Sequence, residues 1–192
     1  MSRREIVEIG HPLLRERARD VRPEELRSEA VQSLIDDMIE TMRAANGAGL
    51  AANQVAETLR VAVVEVRPGN PRYPYKPPFP LTVLVNPEVE PGGSETFEVN
   101  EGCLSVPDLR GTLTRHASVR VRFLDRGGER RELLVHGLTA GTFQHEVDHL
   151  DGVLFLDRVR DPASFTTWDQ YERFHREAFE RQAREIVERY GS

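Results

Sequence analysis

One cysteine, one tryptophan and three methionines stand among 192 residues, and aromatic side chains make up only 7%. A lone cysteine cannot close an internal disulfide, which excludes a disulfide-stapled scaffold and leaves Cys103 as a core thiol, a nucleophile or a metal ligand. No apolar run approaches the length of a membrane span, and the opening Met-Ser-Arg-Arg-Glu-Ile has no signal-peptide pattern. Together with the unpaired thiol, this points to the cytoplasm. Basic residues number 26 against 32 acidic ones, a net charge of −6, and no basic run interleaved with aromatics offers a nucleic-acid footprint. Arginine outnumbers lysine overwhelmingly, a bias with no functional meaning by itself. Internal repeats and a separate linker are also missing. The length of 192 residues therefore predicts a single domain over 1–192, able to bury a real core.

What is present is concentrated in three short segments. Residues 144–152 read Gln-His-Glu-Val-Asp-His-Leu-Asp-Gly, with His145 and His149 four apart and Glu146 between them. Positions i and i+4 share one face of a helix, so two imidazoles can reach one cation while the glutamate holds a proton beside it. A catalytic site of this kind needs three protein ligands and one open position. A histidine six residues past His149 would be one answer, but that place holds Phe155. Glu172 and Glu177 lie in an amphipathic segment and read as solvated charges. Cys103 remains, in Glu101-Gly102-Cys103-Leu104-Ser105, a stretch too polar for a buried strand centre. A thiolate with two imidazoles makes an N₂S set for a divalent ion.

The third segment is 47–54, Gly-Ala-Gly-Leu-Ala-Ala-Asn-Gln. It lacks the third glycine and the preceding strand of a dinucleotide fingerprint. Asn46-Gly47 suits a helix C-cap, and Gln54 ends the run with a side-chain amide able to donate to an oxyanion.

In order, spacing and wording, residues 47–54, 101–105 and 144–149 resemble the three motifs of the peptide deformylases. Gly10-His11-Pro12-Leu13-Leu14-Arg15 resembles that family's opening signature, and the similarity runs from about residue 5 to about residue 160. The resemblance implies a metal-dependent hydrolase that removes the formyl group from the formyl-methionine of new polypeptides and releases formate. Cys103, His145 and His149 would hold the metal, with Glu146 as general acid–base toward water activated by that metal. Gln54 and the backbone N–H of Leu104 would bind the formyl oxygen. Gly49 would hold the peptide backbone, Arg110 would help bind the peptide, and Arg115 would pair with Glu101. The favoured ion is iron(II), with zinc or nickel as alternatives in purified material. Ala48 stands where the family commonly has a branched aliphatic, and Gly141 where it often has a larger side chain, so the methionine pocket is expected to be wider. The rivals are a protease cutting internal amides and a non-catalytic metal-binding descendant; retention of every ligand and of Glu146 disfavours the second.

Patterning supplies the frame. Val31, Leu34, Ile35, Met38, Ile39 and Met42 repeat at helical spacing, with Pro23 near the start. Residues 59–66 and 81–85 read as strands, the second stopped by Asn86-Pro87, and 67–80 with its six prolines as a surface insertion. Val119, Val121 and Phe123 alternate with arginines before the Asp125-Arg126-Gly127-Gly128 turn, predicting a hairpin. The ligand helix is expected from about 138 to 150 and a long helix from about 167 to 190, opened by Thr167 and Gln170. Its apolar stripe could pack on the body, meet a partner subunit or touch the ribosome. His11, His116, His136 and His175 read as structural or exposed. The expected fold is α+β: a central metal-binding helix wrapped by mostly antiparallel strands, with a long carboxy-terminal helix.

Overall fold

Alternation builds the main sheet. In β6 (Ser118–Leu124), Val119, Val121 and Phe123 are buried while Arg120 and Arg122 face outward, and the strand pairs with β7 (Arg130–His136) through the expected hairpin. The computed structural model describes residues 2–192. The sheet is antiparallel throughout, in the order β1 (Gly49–Ala51), β2 (Val61–Val66), β3 (Phe79–Pro91), β6, β7. A separate antiparallel pair, β4 (Thr96–Cys103) and β5 (Val106–His116), stands beside it.

β3 does not stop at Asn86-Pro87. Its register with β6 shifts between Val85 and Glu88, with Asn86 at φ 50°, so a bulge absorbs the residue that lacks an N–H. The Asn86 amide is clamped across the fold: its Oδ1 accepts from Val21 N at 2.8 Å and its Nδ2 donates to Val21 O at 2.9 Å. Arg60 donates to the Pro87 carbonyl from Nε and Nη2.

Two helices pack on this frame before the ligand helix. Pro23 opens only a single turn, α1 (Pro23–Leu26); the amphipathic helix α2 (Glu29–Ala44) starts later, where the Ser28 hydroxyl accepts from Val31 N. α2 ends in a Schellman motif, with Asn46 at φ 53° and Gly47 N donating to Met42 O at 2.9 Å. The left-handed position belongs to the asparagine of the Asn46-Gly47 cap.

The ligand helix α3 (Gly137–Leu150) touches both sheets, and of its 14 residues only His145 is half-buried, the others being buried. A helix buried all round must pair its polar side chains internally. Gln144 does so against the end of β5, accepting from His116 N and donating to His116 O, both at 3.0 Å. After a one-turn helix α4 (Phe155–Arg158), the expected carboxy-terminal helix is interrupted at His175 (φ −120°), giving α5 (Trp168–Phe174) and the long α6 (Arg176–Tyr190). Thr167 caps α5 through Gln170 N. α6 lies on α3 and β4, burying Phe179, Ala183 and Ile186, and Ser192 O accepts from Leu138 N at the start of α3. Among the described residues no helix is long and apolar enough to cross a membrane.

Candidate active site

The helical spacing of His145 and His149 brings their rings to a centroid separation of 5.0 Å. Cys103 arrives from the other sheet, at the end of β4, where the pairing with β5 slips between Gly102 and Cys103 and turns the chain. Its Sγ lies 3.1 Å from His149 Nε2, and one donor atom from each of Cys103, His145 and His149 falls within 4.8 Å of the others. This N₂S set fits a divalent cation: a soft thiolate and two imidazoles converge from elements far apart in sequence, Cys103 and His149 being 46 residues apart, and no other described group converges in this way. Phe155 is no ligand; its ring stacks on His145 at 6.5 Å.

The layer behind the ligands fixes their orientation. Glu101 Oε2 sits 2.9 Å from His145 Nδ1, which leaves the other ring nitrogen to face the thiol. Arg115 donates to both Glu101 oxygens at 2.9 Å and to Asp148 Oδ2 at 2.5 Å, and Arg158 meets Asp148 from the outside. Burial alone would push the Glu101 carboxyl up; the charge and hydrogen bonds of Arg115 outweigh it and hold the group well below the usual carboxylate range. Burial and the neighbouring His145 hold His149 well below the ordinary imidazole value, so this ring is neutral and able to ligate. The Asn53 amide donates to the His149 carbonyl and anchors the helix end.

Glu146 is buried in the same place, with Oε2 lacking any hydrogen-bond partner, and burial raises its carboxyl to about 7. A group poised there can both take and give a proton near neutrality. The reason for Gly49 becomes plain here: a Cβ at that position would lie 2.2 Å from Glu146 Oε1. The glycine makes room for the carboxylate. Gln54 is held by the backbone, since Ala51 N–H donates to its Oε1 at 2.9 Å; its Nε2 must therefore face the centre, 3.1 Å from Ser105 Oγ and 3.6 Å from Cys103 Sγ.

Cys103, His145, Glu146, Glu101 and Gln54 line one cleft of about 640 Å³, counting its open mouth. Ala48, Gly49, Leu104 and Gly141 all form part of its wall, and a Cβ on Gly141 would meet nothing nearer than Phe97 Cζ at 3.7 Å. Arg110 also borders the cleft, but its guanidinium is committed to Asn100 and lies 4.3 Å from both the Trp168 and the Tyr171 ring centroids. Behind the wall, Ser105 of the cysteine motif supports the thiol, and several wall residues lie outside every motif. Ser105 N donates to the Cys103 sulfur, Phe179 of α6 packs edge-on to Tyr75 at 5.0 Å, and the 67–80 segment lays Tyr73, Tyr75 and Lys76 along the cleft. That segment exposes most of its prolines yet closes a wall of the site. Asp148, the shared partner of Arg115 and Arg158, is given no role by the sequence motifs. His11, His116, His136 and His175 lie apart from the three converging donors, and Glu172 and Glu177 pair with Arg176 and Arg181.

Comparison with known proteins gives the same answer. A family model described as polypeptide deformylase matches residues 3–164. Peptide deformylase 2 of Nostoc sp. is 42% identical over 167 residues, covering 87% of this chain and 92% of the relative. The crystal structure of a class I type b peptide deformylase from Acinetobacter baumannii with Met-Ala-Ser bound superposes with a TM-score of 0.79 at 42% identity, over 83% of this chain and all of that one (100%). A peptide deformylase from Legionella pneumophila aligns over 98% of this chain and 95% of its own, including α6, with a TM-score of 0.72 at 33% identity. The chain shares the fold of these hydrolytic enzymes, brings its own Cys/His/His group together in the cleft, and belongs to the polypeptide deformylase family.

Proposed function

We propose that the protein removes the formyl group from N-formyl-methionyl peptides, using Cys103, His145 and His149 to hold the metal and Glu146 to move the proton. The observation that carries this is the unpartnered Glu146 carboxylate oxygen, buried in the cleft on which the three donors converge. When bound, a divalent cation supplies Lewis acidity and lowers the pKa of water toward 7. Glu146 takes a proton from the attacking water and delivers it to the departing amine nitrogen, leaving formate and a free amino terminus. Gln54 Nε2, locked by the Ala51 N–H, and the Leu104 N–H donate to the oxygen on which negative charge develops. The backbone at Gly49 and the Arg110 side of the cleft hold the peptide. The whole chain works as one catalytic domain, because α3 touches both sheets and α6 supplies part of the wall.

The decisive experiment is an anaerobic formate-release assay on a formyl-Met tripeptide beside an endopeptidase assay on its blocked, non-formylated counterpart. Formate release with no internal cleavage is expected; the reverse pattern would make the protein a protease. Gln54→Ala should retain metal and lose about a hundredfold to a thousandfold in kcat, the cost of one oxyanion donor. A near-normal kcat would remove Gln54 from the mechanism.

Iron(II) is the proposed physiological ion, working in the cytoplasm on nascent chains. Iron beside a thiolate is open to oxidation. Activity should therefore decay in air and return when nickel replaces the ion; an air-stable enzyme as isolated would point to another metal. Ala48 and Gly141 each remove atoms from the side-chain pocket, and a methylene there is worth only ~1–3 kcal/mol of discrimination. Formyl-Met peptides should still be preferred over formyl-Leu and formyl-Phe, by a narrow margin. A specificity constant for formyl-Phe a hundredfold lower would contradict a widened pocket.

A further inference from the structure

Of the 26 lysine and arginine residues in this protein, one is a lysine, Lys76. Where every other basic position carries a guanidinium, this one keeps a compact ammonium on a flexible stem. It lies in the proline-rich segment, on the wall of the cleft. Its Nζ donates to Thr142 Oγ1 at 2.8 Å and sits 4.8 Å from the Tyr73 ring centroid. The Thr142 hydroxyl donates in turn to Leu138 O at 3.1 Å, so its lone pairs are what the ammonium meets. Leu138, Gly141, Thr142 and His145 share one face of α3 and all border the cleft, which puts the ammonium about one turn from a metal-binding histidine.

An ammonium has three donors, and Thr142 accepts one. Lys76 forms no ion pair with a described carboxylate, although Glu101 and Glu146 border the same cavity. Burial pushes it down to about 8, so it remains mostly protonated at neutral pH. A hydrocarbon side chain packed over such a group caps its donors without pairing them, which a site built this way penalises. An acidic side chain would pair with it but would face the Glu101 and Glu146 carboxylates. A neutral, strong acceptor satisfies both conditions.

We propose that Lys76 is a specificity-determining residue: it places a hydrogen-bond donor in the pocket for the substrate's first side chain and favours a neutral acceptor at that side chain's tip. Methionine sulfoxide is then the best-suited first residue, methionine with its weakly accepting thioether comes next, and the hydrocarbon norleucine comes last. This inference rests on the deformylase function proposed above.

The test measures kcat/KM on formyl-X-Ala-Ser tripeptides, with X methionine, methionine sulfoxide or norleucine, for wild type and Lys76→Met. In the wild type the sulfoxide should exceed norleucine by about tenfold or more, and in Lys76→Met that ratio should fall to about one. The same ratio in both proteins overturns the proposal. A second measurement depends neither on catalysis nor on folding of the variant. Because Lys76 is the sole ε-amine, acylation by an N-hydroxysuccinimide ester followed by peptide mapping reports it directly. The deformylated sulfoxide tripeptide should slow that labelling several-fold more than the norleucine tripeptide at equal concentration, and equal protection overturns the proposal. If the wild type releases no formate from formyl-Met-Ala-Ser, the proposed function has failed, and the labelling result still decides whether Lys76 reads an acceptor.

Discussion

Glu146→Ala is expected to retain one equivalent of metal and to release formate from a formyl-methionyl peptide between about a hundredfold and 10⁴-fold more slowly than the wild type, the usual contribution of a positioned acid–base group. The two consequences separate because the ligands are other residues. Cys103, His145 and His149 keep their positions through Glu101, Arg115 and the packing of α3, none of which depends on the Glu146 side chain. What the variant loses is a carboxylate aimed into the cleft with one oxygen free of any protein partner. The structure invests in that placement: β1 carries glycine at position 49, where any side chain would collide with Glu146. Metal analysis by mass spectrometry together with the formate assay checks both halves. A rate within tenfold of wild type would move the proton transfer to another group, and loss of the metal would make Glu146 a structural support of the site.

The chemistry of this site was legible in the sequence because each motif supplies its own local geometry. The spacing of His145 and His149 is a helical turn, and a helix forms there with both rings on one face. Cys103 could be singled out because nothing else in the chain could pair with it. The less legible parts depend on partners far along the chain. β3 crosses Asn86-Pro87 because the Asn86 amide is held by Val21, 65 residues away, and no local rule anticipates that clamp. Lys76 is placed by Thr142, 66 residues away, which turns a proline-rich segment from an outlying loop into a wall of the cleft. The break at His175 splits a stripe whose periodicity alone is continuous. It lets α5 bring Trp168 and Tyr171 over Arg110 while α6 brings Phe179 to Tyr75. Propensity and spacing describe one element at a time, whereas these features are agreements between elements.

Arg115→Met should be the most destabilising single change at the site, by about 3–5 kcal/mol in equilibrium unfolding, the cost typical of breaking a buried ion pair from one side. Arg115 is 2% exposed and its guanidinium is divided between Glu101 and Asp148, themselves nearly buried. Methionine fills much of the volume but leaves both carboxylates facing each other with less compensation, Asp148 retaining Arg158 and Glu101 retaining only His145. Glu101 is then freed from the group that held it in place, so the hydrogen bond orienting His145 loosens, and metal affinity should fall about 10–100-fold, as for other outer-shell ligands. A double-mutant cycle with Glu101→Gln distinguishes the pair from a general loss of packing. If the Arg115–Glu101 contact is what matters, the double variant is more stable than the sum of the two losses predicts, by about 0.5–3 kcal/mol. Strict additivity would mean that Arg115 stabilises this region through its stem and through Asp148, and that His145 is oriented without help from the ion pair.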